Sequence, residues 1–401
     1  MVDKLFLSIP KSEIEQGALN QIDAVMKLDF LKYLAIMPDV HQGYALPIGG
    51  VALLDNHISP SFVGYDIGCG VSHINTGIVI DPNDKDYDEW RKYIFDAVYA
   101  SIPLGFSGHK KKVDGGAEFT EFKSASGDKE LDKSVNDIML YQLGTLGGGN
   151  HFIEFGLNSK NELGVTIHSG SRKAGHLVCS YYTRPQERMY STDAATVSFG
   201  PEKSVIFSAD SERGKAYIAD MEFCLSYALE NRKRMMEYIL GYIIQVNTPA
   251  KDFNTVSKKV GLINKNHNHA IRTPDGWLHR KGAISAAKGE IGVIPGNMRD
   301  GVYITEGLGN DEWLDSASHG AGRKLSRSAA DKTLTLYKFE QEMGGIVAKV
   351  SESTLDESPM AYKDFDAVIK AQESKTIKIL DKFMPIINIK ADDKNSWRKK
   401  K

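Results

Sequence analysis

LGGGNHFIEFG (146–156) runs a glycine triplet straight into a short alternating strand, with His151 at the strand's mouth and Glu154 three residues on. The period of two in its apolar residues marks β structure. The same arrangement recurs outward from it. GYDIGCG (64–70) leads into VSHINTGIVI (71–80), and GVTIH (164–168) ends in a Ser-Gly-Ser-Arg turn. Helical signals lie between these pieces. Ile218, Met221, Leu225, Leu229, Met236, Ile239 and Leu240 recur at three- and four-residue spacing, predicting a helix from about Lys215 to Ile244. A second helix is expected after Arg323 and a third from Tyr362 to about Phe383. Strands and helices do not alternate steadily, which argues against repeated βαβ units. The reading is therefore α+β: one large mixed domain over 1–401, its chemistry gathered in Gly-rich loops at strand ends. Two polar, Gly-punctuated stretches, 107–134 and 183–204, are expected as surface excursions. The chain shows no internal repeat.

Composition bounds the function. The 401 residues are 41% apolar and 25% charged, the balance of a globular protein with a sizeable core. Fifty basic against 52 acidic residues give a net charge of -2, which excludes a polybasic, histone-like protein but leaves local basic patches open. MVDKLFLSIPKSE does not read as a signal peptide, and no apolar run approaches the roughly 20 residues that span a bilayer. Cys69, Cys179 and Cys224 are too few and too scattered for a disulfide framework. A cytoplasmic protein without membrane contact is expected.

Six segments carry metal-type ligands or phosphate-type loops: MPDVHQG (37–43), GYDIGCG, LGGGNHFIE, IHSGSR (167–172), KNHNHA (265–270) and SHGAGR (318–323). In GYDIGCG, Gly64, Gly68 and Gly70 permit a chain folded tightly around a small object, offering the Asp66 carboxylate and the Cys69 thiolate together. A thiolate can bridge two ions; a buried Cys in a glycine turn is the plain alternative. His151 and His168 stand at strand ends. His267 and His269, two apart, share a face if their segment is a strand. Cys, Asp and three histidine segments fit one metal ion or a pair; on ligand type zinc comes first and manganese second. The turn after His168 offers N–H groups and Arg172 to anions. In SHGAGR, His319 precedes an expected helix whose N-terminus favours phosphate, and Arg323 can grip one bidentately. A histidine beside a phosphate can act as nucleophile or acid. Arg172-Lys173, Arg280-Lys281 and Arg323-Lys324 adjoin these motifs and read either as solvated surface pairs, since Arg-Lys also occurs at Arg91-Lys92 and Arg232-Lys233, or as a basic funnel for nucleic acid.

Taken in order, MPDVHQG, VGYDIGCG, LGTLGGGNHFIE, HSGSR, NHNHA, RKGAISA and SHGAGR resemble the RtcB-type RNA ligases, from about residue 30 to beyond Tyr362. The resemblance implies a GTP- and Mn²⁺-dependent ligase of RNA 3'-phosphate or 2',3'-cyclic phosphate ends to 5'-hydroxyl ends. It implies two Mn²⁺ per chain, with Zn²⁺ as an alternative: one held by Asp66, Cys69 and His151, the other by Cys69, His168 and His267. His319 matches the nucleophile that takes GMP. The implied nucleotide site comprises Asn150, His151, Phe152, Ile153, Glu154, His267, Asn268, His319, Gly320, Ala321, Gly322 and Arg323. Two stretches depart from the pattern. PGNMRDG (295–301) replaces a Gly-Ser-Met-Gly stretch, so that Pro295, Gly296 and Met298 align while Asn297 stands for a serine, Arg299-Asp300 are new, and Val302 falls at a later serine position. Lys390 is the counterpart of a guanine-contacting lysine. RNA with such ends is the implied partner, alongside an archease-like activator.

Two rivals use the same residues. A binuclear metal phosphoesterase or nuclease would employ water as nucleophile. An RNA-end-binding protein would hold metal structurally, without turnover.

Overall fold

Three of the strand-like pieces lie side by side in one sheet. The computed structural model describes residues 4–184, 194–199, 202–247 and 261–392. Its largest sheet has the order Ile263–Asn266, Gly70–Val79, Glu162–Ser169, Phe152–Leu157, Ile377–Ile389, Val302–Gly307, Ile291–Pro295, with Val347–Ala348 pairing parallel to Ile377–Ile389. The first four strands are mutually antiparallel. Asn266 pairs with Gly70, Gly70 with Ser169, and Phe152 with His168. This register brings two strand starts and two strand ends to one edge of the sheet, which decides where the chemistry sits.

A second sheet runs Leu5–Leu7, Leu31–Tyr44, Leu46–Leu54, Gly276–Lys281, Asn268–Thr273. Ala283–Ser285 and Ser316–Ser318 form a small ribbon beside it. With the helices, these sheets make one large domain of mixed α+β type.

The long helix spans Glu212–Asn247, within three residues of the expected bounds. Its most buried stripe shares Met221, Met236, Ile239 and Leu240 with the predicted one and also runs through Tyr217, Cys224 and Tyr227. Each such apolar side chain contributes about 1.5–3 kcal/mol on burial. The same stripe carries Asn231 and Arg232, both wholly buried. Aromatic and sulfur-bearing residues therefore fill the face that Ile218 and Leu225 only border.

The helix expected after Arg323 is Arg327–Thr333, capped by Ser326, which accepts from the Ala329 N–H. One helix expectation is corrected. The third helix covers just Phe365–Gln372, and Ile377–Ile389 is a strand. Asp364 caps the helix start, and Ser374, at φ 61°, turns the chain after its end. IKILDKFMPIINI then alternates and is rich in β-branched residues, which favours pairing with two neighbouring strands over a helix. Within 107–134 the chain lacks regular structure until the helix Lys129–Asn136 begins, yet Phe119, Phe122 and Leu131 enter the core. Much of 183–204 lies outside the described residues; its backbone includes the strand Ala194–Phe199.

Candidate active site

The sheet register converts four separate motifs into one cluster. Cys69 immediately precedes Gly70–Val79, His151 precedes Phe152–Leu157, and His267 follows Ile263–Asn266. His168 is the penultimate residue of Glu162–Ser169. Cys69 Sγ lies 3.2 Å from His168 Nε2 and 3.5 Å from His151 Nε2. His168 Nε2 is 3.3 Å from His267 Nε2, and Asp66 Oδ2 is 2.9 Å from His151 Nε2. All four ring and thiol residues are buried.

Tautomers are set from behind. His151 Nδ1 faces the Leu146 carbonyl at 2.9 Å and His168 Nδ1 the Asn150 carbonyl at 3.1 Å, so each donates there and leaves Nε2 toward the cluster. Burial, reinforced by neighbouring imidazoles, holds His168 and His267 well below 6.5, so they are neutral with free lone pairs. Burial and the Asp66 carboxylate push the Cys69 thiol up. Burial also opposes ionisation of Asp66, but His151, Cys69 and Arg172 outweigh it and leave that carboxyl at about 2.

These donors fit a transition metal. Two bonds of about 2.0–2.3 Å at a tetrahedral to octahedral angle set ligand atoms roughly 3–3.7 Å apart. Cys69, His151 and His168 place one ligand atom each within 4.8 Å of one another. A bound cation would deprotonate the thiol that burial and the Asp66 carboxylate keep neutral.

Arg232 and Asn231 of the long helix brace this corner. The Arg232 guanidinium donates to the Gly68 carbonyl at 2.9 Å and the Ser169 carbonyl at 2.8 Å, the residues beside Cys69 and His168. Its other nitrogens reach Asn264 and Asn266. The solvated Arg232-Lys233 pair expected from sequence is thus half wrong: Lys233 is exposed and Arg232 is entirely internal. Gly147, at φ 100°, has no room for a side chain, since a Cβ would lie 2.4 Å from His151 Nδ1.

His319 stands against the cluster, its ring centroid 4.8 Å from that of His267. Its Nδ1 is 2.7 Å from Oδ2 of Asp39, a wholly buried carboxylate that also accepts from the His319 N–H. That pairing directs Nδ1–H to Asp39 and leaves Nε2 free. Gly322, at φ 73°, packs so closely on the Asp39 carbonyl that a Cβ would stand 2.2 Å from it. Lys363 clamps the same stretch by donating to the Pro38 and Val40 carbonyls.

A cavity of about 540 Å³ opens from His319. Asn150, Phe152, Pro295, Gly296, Asn297, Met298, Gly320, Ala321, Gly322, Arg323 and Lys390 all line it, as expected residues of a nucleotide site. Ile153, implied only through its backbone, is not among the lining residues, and its side chain is in the core. Glu154 sits one layer back, accepting from Asn388, which does line the cavity. Burial raises the Glu154 carboxyl to about 8. Asn268 braces the loops, donating to the Asp66 carbonyl and accepting from the Gly282 N–H.

One wall is cationic. Arg323, Arg327 and Lys390 converge on buried Glu357, at 3.3, 2.7 and 3.2 Å. Arg327 also pairs with Asp356 at 2.6 Å, and Tyr362 donates to Glu357. Burial would raise the Glu357 carboxyl, but Lys390, Arg327 and Arg323 outweigh it and hold it far below the usual range. Three cations against two carboxylates leave the wall positive, suited to phosphate.

Sequence reasoning missed several of these residues. Asp39 and His319 are 280 positions apart, and nothing in their spacing joins them. Glu357, Tyr362 and Arg327 carry no motif; a Pro-Asp-x-His run is the only signal near Asp39. Other expectations fail. His267 lies at a break between strands of different sheets, so it and His269 share no face: His269 turns to Arg280 instead. Arg280 and Lys281 are buried, bound to Ser316 and to the Tyr44 and Ser61 carbonyls, and form no funnel. Asn297 closes a turn by accepting from the Arg299 and Asp300 N–H groups while its Nδ2 donates to Asp300. Arg299 pairs with Asp300 and Glu342.

Residues 21–391 match the family described as tRNA-splicing ligase RtcB. The RNA-splicing ligase RtcB of Escherichia coli K12 is 30% identical over 399 residues, covering 94% of this chain and 95% of its own. The tRNA-splicing ligase RtcB of Nanoarchaeum equitans is 29% identical over 462 residues, with 97% and 94% covered. That of Pyrobaculum aerophilum is 29% identical, with 92% and 89% covered. No helix among the described residues is long and apolar enough to cross a membrane.

Proposed function

The chain belongs to the RtcB family of RNA ligases and is an RNA ligase, and we propose that it joins 3'-phosphate or 2',3'-cyclic phosphate ends to 5'-hydroxyl ends through a covalent His319–GMP intermediate. The observation that carries this reading is the Asp39–His319 pair at 2.7 Å, opening onto the cavity and touching the thiol–imidazole cluster.

Asp66, Cys69 and His151 would hold one Mn²⁺ and Cys69, His168 and His267 a second, with Zn²⁺ also compatible with the donors; when bound, the ions withdraw charge from phosphate oxygens. Asp39 keeps the His319 proton on Nδ1, so the Nε2 lone pair faces the nucleotide. Nε2 attacks the α-phosphorus of GTP; a P–N bond forms as the bond to the bridging oxygen breaks and pyrophosphate leaves. The ring becomes cationic, and the Asp39 carboxylate stabilises it. An oxygen of the RNA 3'-phosphate then attacks the same phosphorus and the P–N electron pair returns to Nε2. The 5'-hydroxyl attacks the activated RNA phosphorus, loses its proton, and expels GMP. A cyclic phosphate is first opened by water. Arg323, Arg327 and Lys390 orient the phosphates, and Asn150 and Phe152 flank the nucleotide.

The biological setting is RNA processing in the cytoplasm, either tRNA splicing or the repair of phosphate-ended RNA, with an archease-like activator as a candidate partner. The test is joining of a 3'-phosphate strand to a 5'-hydroxyl strand by metal-stripped protein. Product that needs both GTP and added Mn²⁺ supports the proposal; product with no nucleotide, or cleavage alone, overturns it.

A further inference from the structure

A second cavity, about 880 Å³, flanks the cluster on its other side. Asp66 and His151 stand in its wall, and it shares Asn150, Arg327, Glu357 and Lys390 with the nucleotide cavity. Its rim is aromatic. Tyr65 is 37% and Phe106 54% exposed; of the exposed large apolar side chains among the described residues, only these two line either cavity.

The Tyr65 ring is held by its neighbours, and the backbone beside Phe106 is fixed. Tyr65 adjoins Asp66 in sequence and packs on Tyr44 and on His176, with centroids 5.7 and 5.2 Å apart. Phe106 follows Gly105, whose N–H donates to the Gly147 carbonyl at 2.8 Å and whose own carbonyl accepts from Arg172. The loop carrying Phe106 is thus clipped to the glycine loop that carries His151. Lys173, in the first turn of the helix Arg172–Thr183, lines the same cavity and makes no ion pair among the described residues.

We infer that Tyr65 and Phe106 form a stacking platform for the base of the terminal nucleotide of an RNA strand, with Lys173 meeting its backbone phosphate. This rests on the ligase reading above. The occupant follows from position: whatever fills this cavity abuts Asp66 and His151, where the reacting end must lie. Base faces stack on aromatic rings irrespective of sequence, whereas backbone charge is met by an uncommitted cation. An exposed ring held beside a reactive centre meets both needs of an enzyme that must seat an end without reading it.

The test uses the Mn²⁺-loaded full chain without GTP, and two short RNAs carrying 2-aminopurine, one at a 3'-phosphate end and one at a 5'-hydroxyl end. Quenching at either end is expected and identifies which end docks here. Tyr65→Ala and Phe106→Ala should each weaken binding about tenfold and remove quenching, Phe106→Trp should restore both, and an abasic end should bind wild type about tenfold more weakly. Lys173→Ala should weaken intact and abasic ends alike and flatten the salt dependence. Quenching that survives both alanine variants, no quenching at either end, or an abasic end bound as tightly as an intact one would overturn the platform, and would leave the rim as a surface for a protein partner. GMP labelling of wild type without RNA separates the two claims: label without quenching overturns the platform alone, and absence of label overturns the ligase chemistry.

Discussion

The thiol–imidazole corner and the cationic wall meet where His267 and His319 lie 4.8 Å apart, yet they are built by opposite means. In the corner, sheet register sets position, backbone carbonyls set tautomers, and His168 and His267 are neutral. In the wall, residues from remote loops are held by charge: Glu357 and Asp356 gather Arg323, Arg327 and Lys390. A donor set meant for cations is best pre-formed without cations, since fixed charges there would compete. A pocket meant for a polyanion must hold positive charge while empty, and internal carboxylates do that.

Substitutions can break this contrast. The largest effect is expected from Cys69→Ala, which removes the shared ligand: bound metal should fall below two per chain and joining by more than about a hundredfold. Metal analysis beside the joining assay checks it; full metal content would remove Cys69 from the ligand set. Asp39→Asn should retain metal but slow GMP transfer about 10²- to 10⁴-fold, because the amide cannot fix the tautomer or stabilise the cationic ring. A Glu357→Gln chain should lose roughly 3–5 kcal/mol, because Arg323 and Lys390 lose their carboxylate partner and Arg327 keeps only Asp356. Because the native Glu357 carboxyl lies far below its ordinary value, that contribution is present at neutral pH and fades as pH falls through the acid range. Urea unfolding at several pH values reads it, and added phosphate should rescue this variant and not Cys69→Ala.

A last test concerns Glu154. Its native value of about 8 exceeds the ordinary 4.5, so the folded state binds the extra proton. The contribution is full below about 4.5 and lost as pH rises toward 8, with a slope of up to about 1.4 kcal/mol per pH unit. Glu154→Gln should flatten stability over that window; an unchanged slope would place the proton elsewhere.

The corner was legible in the sequence because Asp66, Cys69 and His151 stand in glycine clusters beside short strands, and His168 and His267 in short polar motifs at strand ends. The strands at Gly70–Val79, Phe152–Leu157 and Glu162–Ser169 follow the same signals. The wall was half legible. Gly320 to Arg323 were readable beside His319, but Asp39, Glu357 and Tyr362 act through pairings over long sequence separations, which leave no local period. Arg232 misled for a related reason: an Arg-Lys pair on a helix looks solvated until packing shows that one of the two faces inward. The overlong helix at Tyr362 failed because FDAVIKAQ is helical and the strand after it mixes charged and apolar residues that suit either period.

The chemistry turns on a covalent guanylate on His319. Incubation of the Mn²⁺-loaded protein with α-³²P-GTP, beside His319→Ala, reads it out. Label is expected on wild type alone, stable in alkali and lost in acid, as a phosphoramidate behaves. Equal labelling of His319→Ala, or none on a metal-loaded wild type, would contradict it.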